Sequence, residues 1–89
     1  MTESVKIAVL GGGSFGTAVA NIAAENGYQV SQWMRSKAAV QEIKSTRLNS
    51  RYMPGYQLSL NLLPTTDLAE AVTGASIVFV SIPSKSFRD

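Results

Sequence analysis

Three consecutive glycines, Gly11 to Gly13, stand where an apolar run ends, and Gly16 follows within the stretch VLGGGSFGTAVANIA. Glycine weakens a regular element by about 0.5–1 kcal/mol relative to alanine, so the cluster demands a backbone reason. Upstream, Val5 to Leu10 is β-branched and apolar except for Lys6, as suits a buried parallel strand. Downstream, Phe15, Ala18, Val19, Ile22 and Ala23 share the i, i+3, i+4, i+7, i+8 spacing of one helix face, and Asn26 with Gly27 supplies a left-handed stop. A strand, a glycine turn and a helix are therefore expected in direct succession.

The remainder continues the alternation. Tyr28 to Met34 reads as a second strand, and Ser36 is placed to cap a second helix through Ala39, Val40 and Ile43. A loop punctuated by Asn49, Pro54 and Gly55 leads to a short third strand at Leu60 to Leu63. Asp67 and Glu70 have capping-box spacing for a third helix ending near Gly74, and the uncharged run Ser76 to Ile82 forms a fourth strand closed by Pro83. The order β-α-β-α-β-α-β predicts an α/β fold, a Rossmann-type parallel sheet with right-handed crossover helices and strand order 3-2-1-4. That order leaves the fourth strand as an apolar edge without charge or proline, so self-association through Ser76 to Ile82 is expected.

Gly11, Gly13 and Gly16 fall in G-x-G-x-x-G spacing between strand and helix, the arrangement that cradles a dinucleotide. Gly11 takes the turn, Gly13 lets a pyrophosphate approach the backbone, and Gly16 lets the helix sit close to the strand. The helix N-terminus then supplies N–H donors and the positive end of its dipole. A phosphate loop of the Walker type is excluded, because Thr17 stands where lysine is needed. A glycine turn that only connects is the competing reading. An NAD site offers an acid about twenty residues on, at the end of the second strand, to bond the ribose 2′-hydroxyl. Here that place reads Trp33, Met34, Arg35, Ser36, Lys37, with two cations and a hydroxyl that suit a 2′-phosphate. NADP is thus favoured over NAD, against the alternative that Arg35 and Lys37 are merely solvated.

Composition narrows the classes. With 89 residues, 45% of them hydrophobic, the chain suits one small soluble domain. It has no Cys and no His, which removes thiolate chemistry, disulfides and the usual zinc ligands. The net charge of +2, with scattered basic residues, gives no case for nucleic acid. The N-terminal apolar run is too short for a secretory core or a membrane span, so a cytoplasmic location is the default. Trp33 is expected to pack in the core, Ser84 and Ser86 have no base to activate them, and Lys85 is expected to be solvated.

Taken together, VLGGGSFGTAVA, WMR, RLNSRYMPGYQL, PTTDLAEAV and VFVSIPSKSFR resemble the bacterial NAD(P)-dependent glycerol-3-phosphate dehydrogenases from Lys6 to the end of the chain. The Arg-x-Asn-x-x-Tyr-x-Pro-Gly segment carries most weight, because many dehydrogenases share the glycine loop and few share this. Departures are Gly12, where the family usually has Ala, and Phe15, where it often has Trp. The resemblance implies reduction of dihydroxyacetone phosphate to sn-glycerol 3-phosphate for phospholipid synthesis. It also implies that Ser14 and Phe15 contact the cofactor at the glycine loop, that Arg35 meets its adenosine end, and that Ser81 and Pro83 border the nicotinamide. Tyr52, Pro54 and Gly55 either shape a cofactor-side loop or form a plain turn. Residues 1–89 then form the N-terminal portion of the dinucleotide-binding domain. The family's catalytic lysines and helical substrate domain lie beyond it, so this chain alone is expected to be inactive. The other function class is a freestanding dinucleotide-binding module without chemistry, and the simplest outcome is a domain that binds nothing.

Overall fold

A computed structural model describes residues 5–81. Strands β1 (Lys6–Leu10), β2 (Gln29–Trp33), β3 (Leu62–Thr65) and β4 (Ile77–Val80) alternate with helices α1 (Ser14–Glu25), α2 (Lys37–Thr46) and α3 (Leu68–Val72). All three strand pairs are parallel, and the sheet order is β3-β2-β1-β4, as the alternation predicts. The central strand β1 carries Val9, which with Val30, Ile43 and Leu62 is wholly buried. Apolar burial of this kind is worth roughly 25 cal/mol per Å² and supplies the main drive to fold.

Local signals account for the helix ends. Ser36 Oγ accepts from Ala39 N at 3.1 Å, and Asp67 Oδ1 accepts from Glu70 N at 3.1 Å, so α2 and α3 start on side-chain caps. Lys6, the one interruption in the apolar first strand, sends Nζ to the Glu70 and Thr73 carbonyls at the far end of α3, where a cation complements the helix dipole. Arg47 closes α2 in the left-handed region at φ 62°. Its guanidinium donates to the carbonyls of Ser59 and Leu62, tying the long loop to β3. Burial lowers its affinity for a proton below the ordinary arginine value.

Two expectations need correction. The side of α1 that faces the sheet is Gly16, Thr17, Ala20, Asn21 and Ala24, not the apolar set; Phe15 is 66% and Ile22 60% exposed. Only small residues let this helix approach the strands closely, and Asn21 is accommodated because its Oδ1 accepts from Ser59 N at 2.7 Å. The third strand begins two residues later than expected, since a turn from Ser59 to Leu62 intervenes and Leu60 points to solvent. Its Pro64 is tolerated because β3 is an edge.

The other edge is β4. Ile77, Val78 and Val80 are each about half exposed, and helix packing falls mainly on β1, β2 and β3. No helix among the described residues is long and apolar enough to cross a membrane.

The corrected burial pattern predicts opposite responses to two isoleucine substitutions. Ile43→Ala is expected to cost about 2–5 kcal/mol, whereas Ile22→Ser should change stability by no more than about 0.5 kcal/mol. Urea unfolding of both variants checks this, and similar losses would return Ile22 to the core.

Candidate functional site

The glycine loop sits where β1, β2 and β4 all end. Gly11 N donates to Trp33 O at 2.9 Å and Ser81 N donates to Leu10 O at 2.8 Å, so the loop is pinned on both flanks. Gly11 has φ +137°, and a Cβ there would stand 1.9 Å from Ser81 O. A Cβ on Gly16 would stand 2.7 Å from Gly11 O and 3.2 Å from Ser81 Oγ. These two glycines are therefore required by the protein's own backbone packing.

Gly13 differs. An added Cβ would meet nothing within 4 Å, and its φ of −76° and ψ of −173° suit any residue. No packing contact among the described residues calls for glycine there. Gly13 is also the N-cap of α1, with no side-chain cap and no acidic residue in the first turn. The first N–H groups of the helix and the positive end of its dipole thus face an open space, the arrangement that receives a phosphate.

That space is a cavity of about 340 Å³. Gly11, Gly12, Gly13, Arg35, Ser36 and Ser81 are among the residues that line it. The structure therefore brings together Gly11, Gly13, Arg35 and Ser36 of the expected site. Gly16 lies buried beneath the loop, and Ser14 is exposed on the first turn of α1. Phe15 packs its ring against Phe79, 6.1 Å between centroids, outside the cavity wall. Pro83, Ser84, Lys85 and Ser86 lie outside the described residues, as does Ile82 at the end of the expected fourth strand.

Residues that sequence reasoning left aside also line the cavity. Trp33, expected in the core, is half-buried in the wall and donates Nε1 to Thr66 O at 3.0 Å; Met34 and Ala39 join it. Tyr52 stands there too, which favours the site-shaping reading of its loop, and the Arg51 guanidinium lies 5.5 Å from its ring centre. Strand position was the available signal for Trp33 and Met34. Trp33 ends β2 and Met34 follows it, at the carboxyl end where open parallel sheets bind ligands.

A donor set of bare helix N–H groups, one guanidinium and hydroxyls, beside a glycine with no packing duty, fits a phosphate-bearing dinucleotide. The glycines should therefore respond differently to alanine. Gly11→Ala is expected to prevent folding, while Gly13→Ala should keep the parent's stability to within about 1 kcal/mol. Thermal unfolding checks both, and a stable Gly11→Ala chain would show that the loop can move off Ser81.

The family described as NAD-dependent glycerol-3-phosphate dehydrogenase N-terminus matches residues 6–89. The chain is 49% identical over 89 residues to the glycerol-3-phosphate dehydrogenase [NAD(P)+] of Teredinibacter turnerae, covering all of this chain and 26% of that protein. It is 50% identical over 88 residues to the protein of the same name from Pseudomonas fluorescens, covering 99% and 26%. Among solved structures, glycerol-3-phosphate dehydrogenase from Coxiella burnetii matches with TM-score 0.84 and 33% identity, over 91% of this chain and 25% of that one. The Saccharomyces cerevisiae enzyme matches with TM-score 0.85 and 26% identity, over 97% and 28%. The chain thus spans about a quarter of the length of the curated relatives it matches. By family match, strand order and glycine loop together, the chain belongs to the NAD-dependent glycerol-3-phosphate dehydrogenase family, in its N-terminal part.

Proposed function

We propose that the chain is the nicotinamide dinucleotide-binding part of a cytoplasmic oxidoreductase that interconverts dihydroxyacetone phosphate and sn-glycerol 3-phosphate, for phospholipid synthesis. The observation that carries this reading is Gly13, open on its Cβ side at the bare N-terminus of α1. In this reading the pyrophosphate lies on the N–H groups of the loop and of Ser14 and Phe15. Arg35 and Ser36 hold the adenosine ribose and favour a 2′-phosphate. The Ser36 hydroxyl oxygen is occupied as the α2 cap, which leaves its hydrogen free to donate. When bound, the cofactor supplies hydride chemistry.

Separate calorimetric titrations with NADPH and NADH test it. Both should bind, NADPH more tightly. Arg35→Asp should weaken NADPH by about tenfold or more and NADH less, because a carboxylate repels a 2′-phosphate but accepts from a 2′-hydroxyl. Equal losses would remove Arg35 from cofactor choice, and no binding of either cofactor would overturn the function.

The reading extends to β4. Its outer backbone edge has no strand partner among the described residues, and both its faces carry half-exposed β-branched side chains. A second copy of the same strand offers a matching uncharged edge, so the isolated chain is proposed to self-associate there. Sedimentation at rising concentration should show dimers or larger species, and Val80→Lys should return them to monomer. A parent chain that stays monomeric would contradict this.

A further inference from the structure

We propose that Thr17, Gln32 and Asn49 form a buried cluster that aims the N–H groups of the glycine loop outward, which rests on reading that loop as a phosphate cradle. Each residue comes from a different element: Thr17 from α1, Gln32 from β2, and Asn49 from the loop after α2. All three are polar, and all are at most 1% exposed.

Three successive loop carbonyls are held from the protein side. Gly11 O accepts from Gln32 Nε2 at 2.8 Å, Gly12 O accepts from Thr17 Oγ1 at 3.3 Å, and Gly13 O accepts from Thr17 N at 2.9 Å. A trans peptide is planar, so its N–H points opposite to its C=O. Holding these carbonyls inward turns the N–H groups of Gly12, Gly13 and Ser14 outward. Gly12 and Gly13 N–H bond to no backbone acceptor among the described residues.

Thr17 is the hub. A hydroxyl has one donor and two acceptor positions. Its hydrogen goes to Gly12 O, and its oxygen receives Gln32 Nε2 at 3.2 Å and Asn49 Nδ2 at 3.4 Å. No valine-shaped side chain can fill that role. Asn49 extends the cluster toward the cavity wall, because its backbone carbonyl accepts from Tyr52 N at 3.2 Å.

The cluster is not built for stability. Gln32 Oε1 and Asn49 Oδ1 are buried with no partner among the described residues. Orphaned acceptors destabilise a core. Apolar residues would serve packing better at these positions, whereas orienting the loop needs the two amide donors.

Thr17→Val and Thr17→Ser separate orientation from packing. In the ligand-free chain, 15N relaxation should show Gly12 and Gly13 with order parameters of about 0.85 for the parent and Thr17→Ser, falling below about 0.6 for Thr17→Val, with β1 unchanged. NADPH affinity should fall about tenfold in Thr17→Val and be restored in Thr17→Ser. Should Thr17→Val fail to fold, Asn49→Ala, which removes the amide donor to Thr17 Oγ1, should loosen Gly13, whose N–H shares a peptide with Gly12 O. Rigid glycines in a folded Thr17→Val or in Asn49→Ala, or equal loosening by Thr17→Ser, overturn the proposal. If the parent does not bind NADPH, the cofactor reading falls, while the relaxation data still decide the role of the cluster.

Discussion

The carbonyl of Ser81 lies where a side chain on Gly11 would have to go. Around that contact the ends of β1 and β4 and the start of α1 meet as bare backbone. Gly16 repeats the condition one step later, with Gly11 O beneath it. So close an approach fixes what the rest of α1 can present to the sheet. Its inner face must be small, and the Gly16, Ala20, Ala24 row satisfies that, with Thr17 and Asn21 admitted only because their polar atoms are bonded.

From the same contact follows the division of labour among the glycines. Gly11 and Gly16 are spent on packing against backbone and Gly12 on packing against the Met34 Cβ, and Gly13 is left with no packing duty at the head of a helix that lacks a side-chain cap. A helix start without a capping side chain gives up roughly 1 kcal/mol relative to a good cap. Gly13 spares most of that penalty, since glycine is itself tolerated as an N-cap, while leaving the N–H groups open.

Much of this was legible in the sequence. Strand and helix order, the caps at Ser36 and Asp67, the sheet order and the placement of Gly11, Gly13, Arg35 and Ser36 at one cavity follow from glycine spacing, capping chemistry and alternation. These signals report backbone geometry directly. The α1 face was misread because hydrophobic periodicity assumes that larger apolar residues turn inward, and a helix pressed against a sheet reverses this for Phe15 and Ile22. Gln32 and Asn49 gave no apolar signal at all, yet both are buried; only the spatial meeting of three elements explains them. Leu60 looked like a strand residue, but the turn that ends at Leu62 leaves it outside.

The central claim is that the loop and the head of α1 form a phosphate cradle continuous with the Arg35 end of the cavity. Amide chemical-shift mapping during NADPH addition tests it most directly. The account predicts the largest changes at Gly12, Gly13, Ser14 and Phe15, with a second group at Arg35 and Ser36. Changes confined to α3 and β3, with the glycine loop undisturbed, would contradict it.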